Sequence, residues 1–278
     1  MKSLPRVLTI AGSDSGGGAG IQADLKAIIA HRCYGMTALT MVTAQNTQGV
    51  TAVASLTPLM VKEQIHAVVE DIGVDAIKIG VLHNAEIIAV VNEELRKIPE
   101  IPIVLDPVMV ATSGDFLVDE TAKNAIVEKM FPLAMLVTPN LVEAEVLVGT
   151  TLNTDEETAQ AALKLLEMGP QAALIKGGHR KDGKAYDCLA TAEGVHWLYT
   201  DRIETSNTHG TGCTLSTVIA CYLAKGEKLI DAVRKAKDFI SYSLERNKEV
   251  SIGQGNGPVL PMLAPEGYTS YTNYTSVW

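Results

Sequence analysis

Short uninterrupted apolar runs alternate along this chain with longer segments in which apolar residues recur every three or four positions. The runs VLTIAG (7–12), DAIKIG (75–80), IPIVLDP (101–107), AMLVTPN (134–140) and AALIKGG (172–178) are too short for helices and read as strands buried on both faces. Between them, Ile21, Leu25, Ile28 and Ile29 mark one helix, and TDEETAQAALKLLEM opens another with a Thr-x-x-Glu capping box at Thr154 and Glu157. Strands alternating with helices predict a parallel sheet covered on both faces. After residue 185 the texture changes to YDCLATAEGVHWLYTDRIETS, short alternating segments with turn residues, which predicts antiparallel strands at one edge. Two helices follow, over about 212–225 and 228–246.

No linker-like stretch breaks this pattern before residue 250, and no internal repeat is visible, so residues 1–278 read as one α/β domain; the tail from Ser251 to Trp278 has no clear period. At 278 residues and 47% hydrophobic, the chain is long enough to bury roughly 75% of its unfolded surface. A formal charge of −9 and a pI of 5.2 disfavour a nucleic-acid or anionic-membrane partner and favour a small one. Cys33, Cys188, Cys213 and Cys221 form no C-x-x-C pair, the N-terminal apolar run is too short for a signal peptide, and no stretch reaches 18 apolar residues. These features point to a reduced cytoplasmic setting, in which the NYT sequon at Asn273 has no meaning.

In an open parallel sheet, ligands bind beyond the carboxyl ends of the strands. The strand ends here carry AGSDSGGGAG (11–20), TAQNT, KIGVL, LDPVM, TPNLVEAE, KGGH and NTHGTGCTLS (207–216). The first stretch is not a dinucleotide fingerprint: its glycines are spaced G-x-G-x-G at 16, 18 and 20, and no acidic residue follows in YGMTALTMVTAQN to hold a ribose. A Walker A loop is excluded because no Gly-Lys-Ser/Thr occurs there. Taken alone, such a stretch has a flexible loop as its plain alternative.

The second stretch is more specific, since Leu215, Val218, Ile219, Tyr222 and Leu223 mark a buried helix starting near Gly212. Its first turn offers unpaired N–H groups and the positive end of the dipole, and Gly210 and Gly212 leave an anion room to approach; the plain alternative is a glycine turn before a helix.

Together AGSDSGGGAGIQADLK, TAQNTQGV, DPVM, TPNLVEAE, IKGGH and NTHGTGCTLS resemble the hydroxymethylpyrimidine and hydroxymethylpyrimidine-phosphate kinases of thiamine biosynthesis, within the ribokinase-like superfamily. The resemblance runs from about residue 5 to 250. It implies a ribokinase-like α/β fold, a homodimer, and two successive phosphoryl transfers from ATP with Mg²⁺, first to the pyrimidine alcohol and then to its monophosphate. Pyridoxal kinases of the same subgroup give an alternative acceptor; a nucleotide-binding regulatory domain is the rival outside enzymes.

Carried onto this sequence, the resemblance implies an anion hole from Gly210, Thr211, Gly212 and Cys213, with Cys213 as general base where most ribokinase-like enzymes have aspartate. Cysteine at a helix N-terminus titrates at about 3.5 to 7.5, so a lowered thiol is expected there. Lys176 and Asn140, with Thr211, would contact ATP, and Asp106 and Glu143 would place the magnesium, which needs only one or two carboxylates. The acceptor pocket would comprise Gly12, Ala19, Asp24, Gln45, Val81, Val108 and Met109, with the glycine loop allowing a flat ring against the backbone and Asp24 and Gln45 hydrogen-bonding the aminopyrimidine. Val81 departs from the Met common in the family's KIGML segment and leaves more room over the ring.

Overall fold

A computed structural model describes residues 4–109, 119–177, 184–263 and 273–277. Its strands are β1 (Arg6–Asp14), β2 (Tyr34–Gln45), β3 (Val50–Ser55), β4 (Ala76–Ile79), β5 (Ile103–Leu105), β6 (Leu136–Val137), β7 (Ala173–Gly177), β8 (Lys184–Thr191), β9 (Gly194–Asp201) and β10 (Asn273–Val277). All ten join one sheet in the order β10-β9-β8-β7-β6-β5-β4-β1-β2-β3. From β7 to β2 the pairs are parallel, while β3 at one end and β8, β9 and β10 at the other pair antiparallel. The expected mixed sheet is therefore present. The antiparallel β2–β3 hairpin at the far edge and the tail strand β10 add to it.

The helices are α1 (Gly20–Ala30), α2 (Pro58–Ala67), α3 (Ala85–Leu95), α4 (Glu120–Ala125), α5 (Leu141–Val148), α6 (Asp155–Glu167), α7 (Thr211–Ala224) and α8 (Leu229–Asn247). One core lies under α2 to α6, the other under α1, α7 and α8. Central strands feed both by simple alternation: Ile103 and Leu105 face the first core and Val104 the second. Two strands are shorter than their apolar runs, because Pro102 and Pro107 bracket β5 and Pro139 follows β6, and a proline has no N–H for the ladder. The chain leaves β6 into α5 through a capping box in which the Asn140 side chain accepts from Glu143 N–H at 2.9 Å and Glu143 Oε2 accepts from Asn140 N–H at 2.8 Å. The box expected at Thr154 and Glu157 opens α6. Among the described residues no helix is long and apolar enough to cross a membrane.

One polar cluster interrupts the second core. Lys78, fully buried in β4, donates to Asp24 of α1 at 2.9 and 3.1 Å, and Thr9 of β1 and Thr217 of α7 donate to the same carboxylate at 2.5 and 2.7 Å. Register explains the meeting, since Thr9 is paired with Lys78 across the β1–β4 ladder and both point to the face that α1 and α7 cover. Burial alone would lower the lysine; Asp24 outweighs it and leaves the ammonium firmly charged.

Breaking a buried pair on one side strands a charge, at a cost of about 3–5 kcal/mol. Lys78→Met should lower the unfolding free energy from denaturant titration by that order, with a matching fall in midpoint, and Asp24→Asn combined with Lys78→Met should recover most of the loss. Equal midpoints for Lys78→Met and wild type would rule out a contribution of the pair to stability.

Candidate active site

Beyond the carboxyl ends of the parallel strands lies a cavity of about 1310 Å³ bounded by described residues. It occupies the switch point of the sheet, where the chain leaves β1 toward β2 on one side and returns to β4 on the other. Every site residue expected from sequence lines it except Asp24. Asp24 is 0% exposed and its two oxygens are engaged by Lys78, Thr9 and Thr217, so it lies beneath the cavity and does not contact an acceptor there. The apolar stripe of α1 turns that carboxylate inward, against the expectation that it reaches the strand ends.

At one end of the cavity Lys176, the strand-end lysine of β7, donates to Asp106 Oδ1 at 2.7 Å, which also accepts from Thr138 Oγ1 at 3.0 Å. The first turn of α7 sits directly over this pair. A Cβ on Gly212 would come within 3.1 Å of Lys176 Nζ and 3.4 Å of Asp106 Oδ2, so glycine sets how closely the turn can approach. Gly210 is the α7 N-cap with φ of 78°, a left-handed conformation that favours glycine. Of the expected anion hole, the Thr211 N–H is turned back onto Thr208 O at 3.2 Å; among the described residues, the N–H groups of Gly210, Gly212 and Cys213 have no protein acceptor. The hole is thus narrower than the four-residue expectation.

Glu143 is 4% exposed, and burial pushes its carboxyl up to about 7, with Lys176 opposing and Asp106 reinforcing the rise. Lys176 is held above the ordinary lysine value, burial being overcome by Asp106 and Glu143. Two carboxylates crowding one cation are a donor set that suits a second, divalent cation completed by phosphate and water oxygens. No group of three or more His, Cys, Asp or Glu able to hold a metal occurs among the described residues, so a wholly protein-built metal cage is not what this site offers.

Cys213 departs from expectation in charge. Burial pushes its thiol up, aided by Asp24 and Asp106, and neither Lys78 nor the N–H of Gly20 reverses the shift. The helix N-terminus was expected to lower it, but desolvation and the nearby carboxylates win. The thiol is therefore held neutral at neutral pH.

The glycine loop between β1 and α1 also has a different purpose from the one its sequence suggests. A side chain on Gly18 would strike the His209 ring and Pro258, one on Gly20 the Gly12 carbonyl, and one on Gly210 the Gly18 carbonyl. The two glycine stretches pack backbone against backbone. Their smallness serves this internal approach, while Gly12 and Ala19 still face the cavity beside Gln45. Met41 underlies Gly12, where an added Cβ would meet its Cγ at 2.9 Å. The pocket's apolar wall includes Val81, Val108 and Met109.

Three residues that shape the site were outside the sequence expectations: Asp14, Lys78 and His209. Lys78 had a signal, a charge inside the buried run DAIKIG, because lysine is almost never fully buried unless paired. Asp14 and His209 lie inside motifs whose glycines drew the attention.

The phosphomethylpyrimidine kinase family model matches residues 14–260 of the chain. The chain belongs to that family. A hydroxymethylpyrimidine/phosphomethylpyrimidine kinase of Rhizobium meliloti is 48% identical over 91% of this chain and 95% of its own length. The thiamine biosynthesis bifunctional protein ThiED of Geobacter sulfurreducens is 44% identical over 94% of this chain, which spans about half, 53%, of that longer protein. Among solved structures, a pyridoxal kinase from Staphylococcus aureus in complex with AMP-PCP and pyridoxal superposes with a TM-score of 0.89 at 34% identity, over 99% of this chain and 100% of that one. The ribokinase-like fold expected from the motifs is thereby shared with known vitamin kinases of this family and its neighbours.

The raised Glu143 carboxyl has a consequence for stability. The folded state holds this proton at a pH where the unfolded chain, at about 4.5, has released it, so folding is favoured at low pH and that advantage is lost as pH rises from about 4.5 through 7. In metal-free buffer, wild-type protein should lose on the order of 3–4 kcal/mol relative to Glu143→Gln across that window, at about 1.4 kcal/mol per pKa unit. Parallel stability profiles for the two proteins would show that Glu143 does not titrate there.

Proposed function

We propose that this cavity performs ATP-dependent phosphoryl transfer to 4-amino-5-hydroxymethyl-2-methylpyrimidine and then to its monophosphate, two steps of thiamine biosynthesis, in one kinase unit formed by residues 1–278. The observation that carries the reading is the Lys176–Asp106 pair packed under the Gly212 turn of α7. It sets a fixed cation, a carboxylate and open backbone N–H groups around one point. Phosphoryl transfer through a loose transition state needs positioning and charge stabilisation of that kind more than covalent chemistry.

In this reading the nucleotide occupies the side of the cavity toward α8, with its phosphates reaching Lys176, Asn140 and Thr211. The pyrimidine occupies the side lined by Gly12, Ala19, Gln45, Val81, Val108 and Met109. Gln45 both donates and accepts, as a ring with an amino group beside ring nitrogens requires. Asp106 and Glu143 would hold Mg²⁺, whose contribution would be to neutralise charge on the phosphates. Cys213, between the two ends, takes the acceptor's hydroxyl proton from its thiolate form. Because the neutral thiol predominates at pH 7, that step should accelerate as the pH rises.

A second acceptor is favoured by one observation, the 0.89 TM-score to a kinase solved with pyridoxal. Pyridoxal phosphorylation is therefore an alternative or side activity of the same site. We also place the chain in the cytoplasm as a homodimer. Support for a second copy comes from exposed apolar side chains around the β3 edge, namely Val42, Val53, Leu59 and Met60, and light scattering of purified protein should give twice the chain mass. A monomer at micromolar concentration would end the dimer assignment.

ADP release with Mg-ATP, compared for hydroxymethylpyrimidine, its monophosphate and pyridoxal, tests the function. Turnover of both pyrimidines is expected, with loss of activity in EDTA and recovery on added Mg²⁺; turnover of pyridoxal alone would move the activity to vitamin B6 salvage. Cys213→Ala should lower kcat by about 10² to 10⁴ while keeping ATP and pyrimidine binding. Wild-type kcat should climb toward alkaline pH in a way that Cys213→Ala does not share. A kcat near wild type, or identical pH profiles, would remove Cys213 from the proton transfer.

A further inference from the structure

Asp14 is 3% exposed, and its carboxylate joins loops that lie 195 residues apart. Oδ1 accepts from Gly16 N–H at 2.8 Å; Oδ2 accepts from Gly18 and Ala19 N–H at 3.0 and 2.8 Å and lies 3.1 Å from His209 Nε2. Burial opposes its ionisation, but His209 and these amides prevail and hold the carboxyl below its ordinary value. His209 immediately precedes the turn that opens α7, and its ring fills the space above Gly18 that any side chain there would need.

A third segment locks the arrangement. His209 N–H donates to Gly257 O and Val259 N–H donates to His209 O, both at 3.0 Å. Gln254 and Gly255 N–H donate to Thr47 Oγ1, in the turn after β2, at 3.2 and 3.1 Å. Residues 254–259 thus run from the Thr47 turn to the His209 turn. The loop residues Ser13, Asp14 and Ala19 and the turn residues Gly210, Gly212 and Cys213 border the same cavity.

We propose that His209 is a positioning residue: through Asp14 it holds the 13–19 loop, at the acceptor end of the cavity, in register with the anion-binding turn before α7, and residues 254–259 strap that pair in place. The acceptor's hydroxyl must meet the transferring phosphoryl group at near-attack distance, and a misplacement of about 1 Å can cost 10²-fold. Neither His209 nor the strap needs to touch a substrate for this. The assignment of an acceptor end rests on the kinase reading given above; the coupling between the loops does not.

Two readouts separate these. In ligand-free protein, amide exchange in the peptide spanning residues 13–20 should accelerate about tenfold or more in His209→Ala, as expected for losing a hydrogen bond to a charged group, and return toward wild type in His209→Gln, whose amide can donate to Asp14. In turnover, His209→Ala should lower kcat for the pyrimidine alcohol about tenfold or more while KM for ATP stays within about twofold, again with rescue by Gln. Unchanged exchange in His209→Ala would overturn the coupling, as would an increase spread evenly over the sheet with KM for ATP rising as kcat falls. If wild-type protein fails to phosphorylate the pyrimidine, the kinase reading fails while the exchange result still decides the coupling. Should His209→Ala not fold, Thr47→Val, which removes only the acceptor for Gln254 and Gly255, carries both readouts with the same expected direction.

Discussion

Everything around the cavity depends on keeping two ammonium groups charged in a place that water barely reaches. Lys78 on β4 and Lys176 on β7 lie three strands apart in the central sheet, and burial works against both. Each is kept cationic by its own aspartate, Asp24 beneath the sheet ends and Asp106 at the cavity. The two pairs differ in what surrounds them. The first is closed off by Thr9 and Thr217 and ties β1, β4, α1 and α7 together. The second keeps Asp106 Oδ2 beneath Gly212, where the α7 turn and the cavity meet. A structural pair and a working pair therefore share one design, distinguished by whether the last oxygen faces protein or cavity.

The same electrostatic setting explains Cys213. A helix N-terminus stabilises a thiolate by a modest amount, whereas desolvation and two nearby carboxylates act in the opposite direction and are stronger here. A thiol kept protonated is a better base once ionised, though less of it is ionised. The site leans toward strength over abundance, which is consistent with chemistry in which proton transfer assists a reaction carried mainly by charge stabilisation.

Much of the architecture was legible in the chain. Apolar runs announced the parallel strands, the Thr154 and Glu157 spacing announced a capping box, and the glycines at 210 and 212 announced an open helix start. Boundaries failed where prolines at 102, 107 and 139 cut strands that hydropathy alone would extend. The buried role of Asp24 is not legible in the sequence, because helix periodicity places it beside an apolar stripe but cannot say that a lysine from a strand 54 residues away will claim it. Asp14 and His209 were invisible for a related reason: their meaning is a contact across 195 residues, and no local spacing encodes that. The glycine loop shows the limit most plainly, since the sequence reports that something must come close and only the fold reports that it is another stretch of backbone.

The strap over the His209 turn also has a temporal side. Thr47 leaves the ribosome 208 residues before Gly255 does, and the amide of the later residue closes on the hydroxyl of the earlier one. Strands β1 to β9 and both buried lysine pairs precede residues 254–259 in the chain, so the contact with the Thr47 turn is made by a segment that follows them. Contacts so distant in sequence are slow to close. The strap therefore adds a non-local closure to the site, and setting the two loops against each other is expected to be slower than forming either loop alone.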